Sequence, residues 1–374
     1  MESKKNPKTL QQINTELYAD SIEFCPTEPF HNYFICGTYS YDDKTQDKPT
    51  RSGKIHLFEV FPNNLDCKKL QTKEVSGVLD LKWSNFYEGN QTNFKTFFSQ
   101  ASSDGFLSLF SLNSIDNSVN FEMVQSENAF QEESQKQIIC LSVDWNNSIY
   151  KNKDALLCSS LSNGTISLFQ FQNESLTLLK NWNAHQYEAW YSHFHRHNPS
   201  IIFTGSDDCM FKGWDIRTDM KTPTFINKNH KMGVCAIDSH WFDENLIATG
   251  SYDEKCRIFD IRFMNKPISF AKTQGGVWRA KWSPFKELQS TIALACMRQG
   301  VQIWNTFLKQ GLYEKKEFIQ EIHFIDHLDD LSYGIDWSRK SFQKDYFFAS
   351  CSFYNKDLRF WKVSSNQFLD FLEK

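Results

Sequence analysis

The chain has 374 residues and a formal net charge of -4. That is enough for one large repeat domain or two ordinary ones, and too little positive charge for non-specific binding to nucleic acid or an anionic membrane. Aromatic residues make up 16%, with 34 Phe and 11 Trp, a composition suited to stacked sheets. The N-terminal MESKKNPKTLQQ is polar, no apolar run reaches the length of a signal peptide or membrane span, and the 10 Cys form no C-x-x-C pair. The expectation is a soluble, cytoplasmic chain with reduced, buried thiols.

In chain order, residues 8–18 (KTLQQINTELY) precede the first full unit and have no unit of their own. Two landmarks then recur. The first is a short alternating strand ending in an aromatic: IEFCP (22–26), VLDLKW (78–83), CLSVDW (140–145), AWYSHF (189–194), CAIDSHW (235–241), VWRAKW (277–282) and YGIDW (333–337). The second is a polar turn followed by a strand, with an aromatic six residues after the turn's Asp or Asn. It runs from Asp104 to Phe110, Asn163 to Phe169, Asp208 to Trp214, Asp253 to Phe259 and Asn355 to Trp361. GSDDCMFKGWDIR (205–217) and GSYDEKCRIFDIR (250–262) are its clearest copies. Further strand-like stretches, such as FEMVQSE (121–127), SLTLLKNW (175–182) and PISFAKT (267–273), separate the units. Residues 42–51 and 128–137 read as solvated loops, and the tail 364–374 as a short helix on the rim.

The landmarks define seven units, about 20–73, 76–127, 138–183, 186–229, 231–272, 275–325 and 331–363. Four strands per unit, repeated radially, make propeller blades. An open ring would expose the edges of its end blades. The last unit lacks an outer strand, so residues 8–18 are expected to supply it beside the strand ending at Trp361. A Trp-Asp pair closing a strand after a G-S-x-D turn resembles the WD40 repeat. The predicted fold is therefore all-β: a seven-bladed WD40 β-propeller spanning 1–374 as one domain, with the N-terminal strand closing the last blade.

WD40 resemblance also implies a buried network of His, Asp, Ser/Thr and Trp within a blade. His185, Asp208 and Trp214 fit it in blade four; His230 and Asp253 fit it in blade five, with Phe259 in place of Trp. Standard catalytic signatures (G-x-S-x-G, H-E-x-x-H, a Walker loop, G-x-G-x-x-G after a strand) do not occur. His193, His195 and His197 in SHFHRH share one strand face and suit either a metal or, as the plainer reading, a solvated polar face opposite Trp190, Ser192 and Phe194.

In a propeller, the segment leading into each inner strand and the turn after the next strand lie on one face of the disc. AHQYEAW, HKMGVC, QGGVWR and DLSYG, with the turns GSYDE, ACMRQG and SCSFYN, would ring one channel mouth with Glu188, Trp190, Glu254, Trp278, Arg279, Arg298, Tyr333 and Tyr354. Trp190, Trp278 and Tyr333 each stand four residues before the landmark aromatic. Such a mouth suits a cationic or amphipathic group, and packing between blades is the plainer alternative.

HQYEAW, GSDD with GWD-x-R, H-x-MGVC, ATGSYDE, QGGVWR-x-KW-x-P, ACM, YG-x-DW and SCSFY, in this order over about 180–360, closely resemble the WD-repeat diphthine methyl esterase family of diphthamide biosynthesis. The first three blades share only the blade periodicity. The resemblance implies hydrolysis of a methyl ester on the modified histidine of translation elongation factor 2, without a redox or nucleotide cofactor, so that a later enzyme can form the amide. It implies the elongation factor as partner, with other diphthamide-pathway enzymes as further candidates. The substrate's trimethylated ammonium suits Trp190, Trp278, Tyr333 and Tyr354. Glu188, His230, Asp253 and Glu254 are candidate bases, and Arg279, Tyr333 or a backbone N–H candidate oxyanion donors. The rival reading is a non-catalytic WD40 scaffold or receptor for a peptide or targeting signal.

Overall fold

The structure, a computed structural model, describes residues 8–43, 50–61, 63–89, 93–116, 118–130, 137–146, 155–306, 320–325 (backbone) and 330–364. It contains seven four-stranded antiparallel sheets. Their inner strands are Tyr18–Phe24, Val78–Gly89, Cys140–Trp145, Ala189–Phe194, Val234–Ser239, Arg279–Trp282 and Ser332–Trp337, defining blades 1 to 7. Each inner strand packs beside the next, and the seventh returns to the first, closing a ring around a central channel. Blade 7 takes its outer strand from the other end of the chain: Lys8–Asn14 pairs antiparallel with Asp357–Ser364, with Thr9 opposite Trp361. This strand ends at Asn14 rather than at residue 18, because Tyr18 already begins blade 1. Within the expected loops at 42–51 and 128–137, residues 42, 50, 51 and 128 are strand residues while residue 137 is not, and the helix expected in the tail falls on residues 365–374, outside the described residues. Among the described residues, the only helical segments are 3₁₀ turns at Phe30–Asn32 and Lys286–Leu288, and no helix is long and apolar enough to cross a membrane.

The aromatic richness goes between the blades. Among the described residues, seven of eight hydrophobic clusters each join two neighbouring sheets, including one across the blade 7–blade 1 closure. Phe34 stacks on Phe58 at 4.8 Å and Phe98 on Phe110 at 4.9 Å, filling the flat space between faces. The G-S of the turn phrase has a steric cause. A Cβ on Gly205 would lie 2.7 Å from Val234 Cγ1, and one on Gly250 would lie 2.5 Å from Val277 Cγ1, so each glycine lets the next blade close in.

The predicted network is complete in blade 4. His185 Nδ1 donates to Asp208 Oδ2 at 2.9 Å, Nε2 accepts from Thr204 Oγ1 at 2.7 Å, and Trp214 Nε1 donates to the same hydroxyl at 2.9 Å. Blade 5 departs from it: Arg257 holds Asp253 at 2.9 and 2.8 Å and donates to His230 Nδ1 at 2.9 Å. Burial and this guanidinium push His230 down to about 3, so the imidazole is neutral, donating from Nε2 to Thr249.

Candidate functional site

A β-bulge recurs at one place in the inner strands. Pairing with the second strand slips between Ala19 and Ser21, Val78 and Asp80, Cys140 and Ser142, Ala189 and Tyr191, Val234 and Ala236, and Ser332 and Gly334. In blade 6, pairing begins at Arg279 with Ala295, which puts Trp278 in the same slot. A bulge inserts one residue and re-aims its side chain. The slot residues are Asp20, Leu79, Leu141, Trp190, Cys235, Trp278 and Tyr333, one per blade at one mouth of the channel.

The aromatic slots meet. Trp190 packs edge-on to Trp278 at 5.4 Å, and Trp278 packs on Tyr333 at 4.8 Å. Tyr252 completes the group, 6.5 Å from Trp190 and 5.9 Å from Trp278, and the band continues through Phe353 to Tyr18 in blade 1. Indole N–H groups tie the rings to acids: Trp190 Nε1 donates to Asp207 at 3.2 Å and Trp278 Nε1 to Asp20 Oδ1 at 3.3 Å. Burial pushes the Asp20 carboxyl up to about 7, against the opposing pull of the Arg279 charge and the Trp278 hydrogen bond.

One residue further along the strands lies Arg279, 4% exposed. Its guanidinium crosses the channel to blade 2, donating to Asp80 Oδ1 at 3.3 Å and Leu79 O at 3.2 Å, and caps Trp278 O at 3.1 Å. Of its five N–H donors, two therefore make no hydrogen bond among the described residues.

Two residues beyond that layer, strand alternation produces a second ring: Glu23, Lys82, Asp144, His193, Asp238, Lys281 and Asp336. These line a cavity of about 70 Å³ at the opposite end of the channel. Each carboxylate there is committed. Asp144 accepts from His193 at 2.7 Å and Phe194 N at 2.8 Å, Asp238 from Arg196 and Trp282 N, both at 2.8 Å, and Asp336 from Phe24 N at 2.8 Å and Arg339 at 3.1 Å. Glu23 is bound by both Lys82 and Lys281. These groups staple neighbouring blades together.

The sequence-derived site residues therefore divide. Trp190, Trp278, Arg279 and Tyr333 converge. Glu188 sits half-buried on the rim, its carboxylate without a hydrogen bond or ion pair among the described residues; Glu254, Arg298 and Tyr354 are exposed on turns. His230 and Asp253 lie inside the blade 5 network. His193 and His195 are 5% and 4% exposed, not on a solvated face, because blades 3 and 5 cover them. They and His197 diverge to Asp144, Glu244 O and His240 O, and no group of three or more His, Cys, Asp or Glu could hold a metal among the described residues. The bulge also turns Trp190 toward the channel with Tyr191, where simple alternation placed it opposite. Asp20 was missed, although it stands four residues before Phe24, the spacing that marks Trp190, Trp278 and Tyr333. Tyr252 and Asp207 were missed because turn residues carry no face signal.

Fold and site define a seven-bladed propeller of WD repeats with an aromatic channel mouth. The family model "WD domain, G-beta repeat" matches residues 221–260. A chain of the solved "Crystal Structure of Mitotic Checkpoint Complex" superposes with a TM-score of 0.65 over 98% of this chain and 96% of its own, at 14% identity, a likeness of fold alone. The "Diphthine methyltransferase homolog" of Dictyostelium discoideum is 34% identical over 389 residues, 96% of this chain and 98% of the relative. "Diphthine methyltransferase" of Mus musculus is 33% identical over 346 residues, 88% and 69% of the two chains, and that of Homo sapiens is 33% identical over 352 residues, 88% and 74%. The chain belongs to the diphthine methyltransferase family, the same diphthamide-pathway family that its sequence strings resemble.

Proposed function

We propose that this chain hydrolyses the methyl ester of diphthine, the modified histidine of translation elongation factor 2, with the methylated side chain held at the aromatic mouth. The relatives' name speaks of methyl movement on diphthine, and with water as acceptor that movement is ester hydrolysis. The observation that carries the placement is the trio Trp190, Trp278 and Tyr333, in equivalent slots, with Trp278 in contact with both other rings and its own ring 5.6 Å from the Arg279 guanidinium. A trimethylammonium group needs aromatic faces rather than a hydrogen-bond acceptor, and cation–π contacts supply about 0.5–2 kcal/mol. Glu188 on the rim adds a compensating charge, and Tyr354 extends the apolar surface. The two unbonded N–H donors of Arg279 suit a developing oxyanion. His230 and Asp253 already satisfy each other's surroundings within blade 5, so this reading leaves them to folding. The elongation factor is the partner and the cytoplasm the compartment under this reading, with other enzymes of the pathway as further partners.

The test is direct. Purified chain mixed with methylated elongation factor should release methanol stoichiometrically with loss of the ester. Binding of the factor without methanol release would instead favour a scaffold.

A further inference from the structure

We propose that Asp20 is the general base of this site, an inference that rests on the mouth being where the ester is hydrolysed. Asp20 is the one carboxylate among the seven slot residues, and blade 1 presents it beside the aromatic trio. Its two oxygens are treated differently. Oδ1 accepts from Trp278 Nε1 at 3.3 Å, while Oδ2 makes no hydrogen bond among the described residues. The contrast with the carboxylates at the opposite end of the channel is complete, since each of those is spent on a backbone N–H or a cation. The other acid near Arg279, Asp80, is spent in the same way, on Val143 N at 3.2 Å and on the guanidinium itself.

The groups facing Asp20 are Arg279, Asp80, Tyr252, Tyr333 and Cys351. Burial holds both tyrosines and the thiol protonated far above neutrality, and the guanidinium stays charged. Asp20, pushed up to about 7, changes charge near neutral pH, the range in which a base is most effective.

The step balances without a further reactant. Asp20 Oδ2 takes a proton from water as the water oxygen bonds to the ester carbonyl carbon, and the carbonyl π pair moves onto its oxygen, facing the free Arg279 donors. The oxyanion pair then re-forms the carbonyl, the carbon–methoxy bond breaks, and the departing oxygen takes the proton back from Asp20. The products are the carboxylic acid and methanol, with Asp20 restored. Trp278 acts as a positioning residue, since its N–H fixes the carboxylate.

The experiment is methanol release from methylated elongation factor across pH, with wild-type chain, Asp20→Asn and Asp20→Glu, each checked for binding of the factor. Wild-type kcat/KM should fall about tenfold per pH unit below about 7. Asp20→Asn should lose ~10²–10⁴-fold in rate while still binding the factor, and Asp20→Glu should recover part of the loss with a displaced acid limb. Wild-type rate in Asp20→Asn, with the same pH profile, overturns the assignment while leaving the esterase reading intact. If Asp20→Asn does not fold, the wild-type profile decides: a rate flat from about pH 5 to about pH 9 excludes this base. A wild-type chain that binds the factor but releases no methanol overturns the esterase reading, and the assignment of Asp20 falls with it.

Discussion

The two ends of the channel are built from the same inner strands, three residues apart, yet they are chemically opposite. At one end, the bulged slots bring together Trp190, Trp278 and Tyr333 around a carboxyl with an unbonded oxygen. At the other, a ring of seven ionisable groups is joined by Arg196 and Arg339 until every carboxylate has a partner. A carboxylate that must hold two blades together cannot also accept a proton during turnover, because protonation would loosen the ring. The bulge separates these duties: residues in register serve the ring, and the inserted residue is available for something else.

Breaking the stapled end should cost the most stability. Asp238→Ala removes the partner of Arg196, which is held at 2.8 Å, and of Trp282 N. An unpaired buried guanidinium should cost ~3–5 kcal/mol in urea unfolding, and a variant as stable as wild type would show that the ring does not staple the blades.

The aromatic end should show itself next, in the pH dependence of stability. Folded Asp20 keeps its proton up to about 7, while an unfolded Asp releases it near about 4. Between those values the folded chain binds the extra proton, so its stability falls as pH rises, by an amount on the order of 3–4 kcal/mol over that window. Asp20→Asn should flatten this part of the melting curve against pH, and an unchanged slope would mean that Asp20 ionises normally.

Smaller effects sharpen the mouth itself. Trp190 is half-buried, so Trp190→Ala isolates cation binding better than truncation of Trp278, which is buried and bonded to Asp20. Titration with methylated elongation factor should show a loss of ~0.5–2 kcal/mol, and an unaltered affinity would move the ammonium site away from this ring. Glu188→Gln should be mildest, at ~0.2–1 kcal/mol in affinity, as for an exposed ion pair. A rate loss of about a hundredfold or more at unchanged melting temperature would instead make Glu188 the base.

The chain alone fixed the number of blades, the closure by the segment expected over residues 8–18, and the glycine and His-Asp-Trp framework of blade 4; the end of that strand at Asn14 came from the structure. Those features follow from local rules: period-two alternation, a turn of fixed length, and an edge that must be paired. It also marked Trp190, Trp278 and Tyr333, because repeat spacing puts like residues in like places. Only the tertiary structure decided that Asp20 belongs with them, since the landmark in blade 1 is weak and 258 residues separate Asp20 from Trp278. Only it decided that His193 and His195 of SHFHRH are buried staples, because the residues covering them come from blades on either side. Spacing along a strand tells which residues share a face, whereas what that face meets depends on strands distant in sequence. The bulge is the limiting case: one inserted residue reverses the facing, and pairing rather than composition shows where it falls.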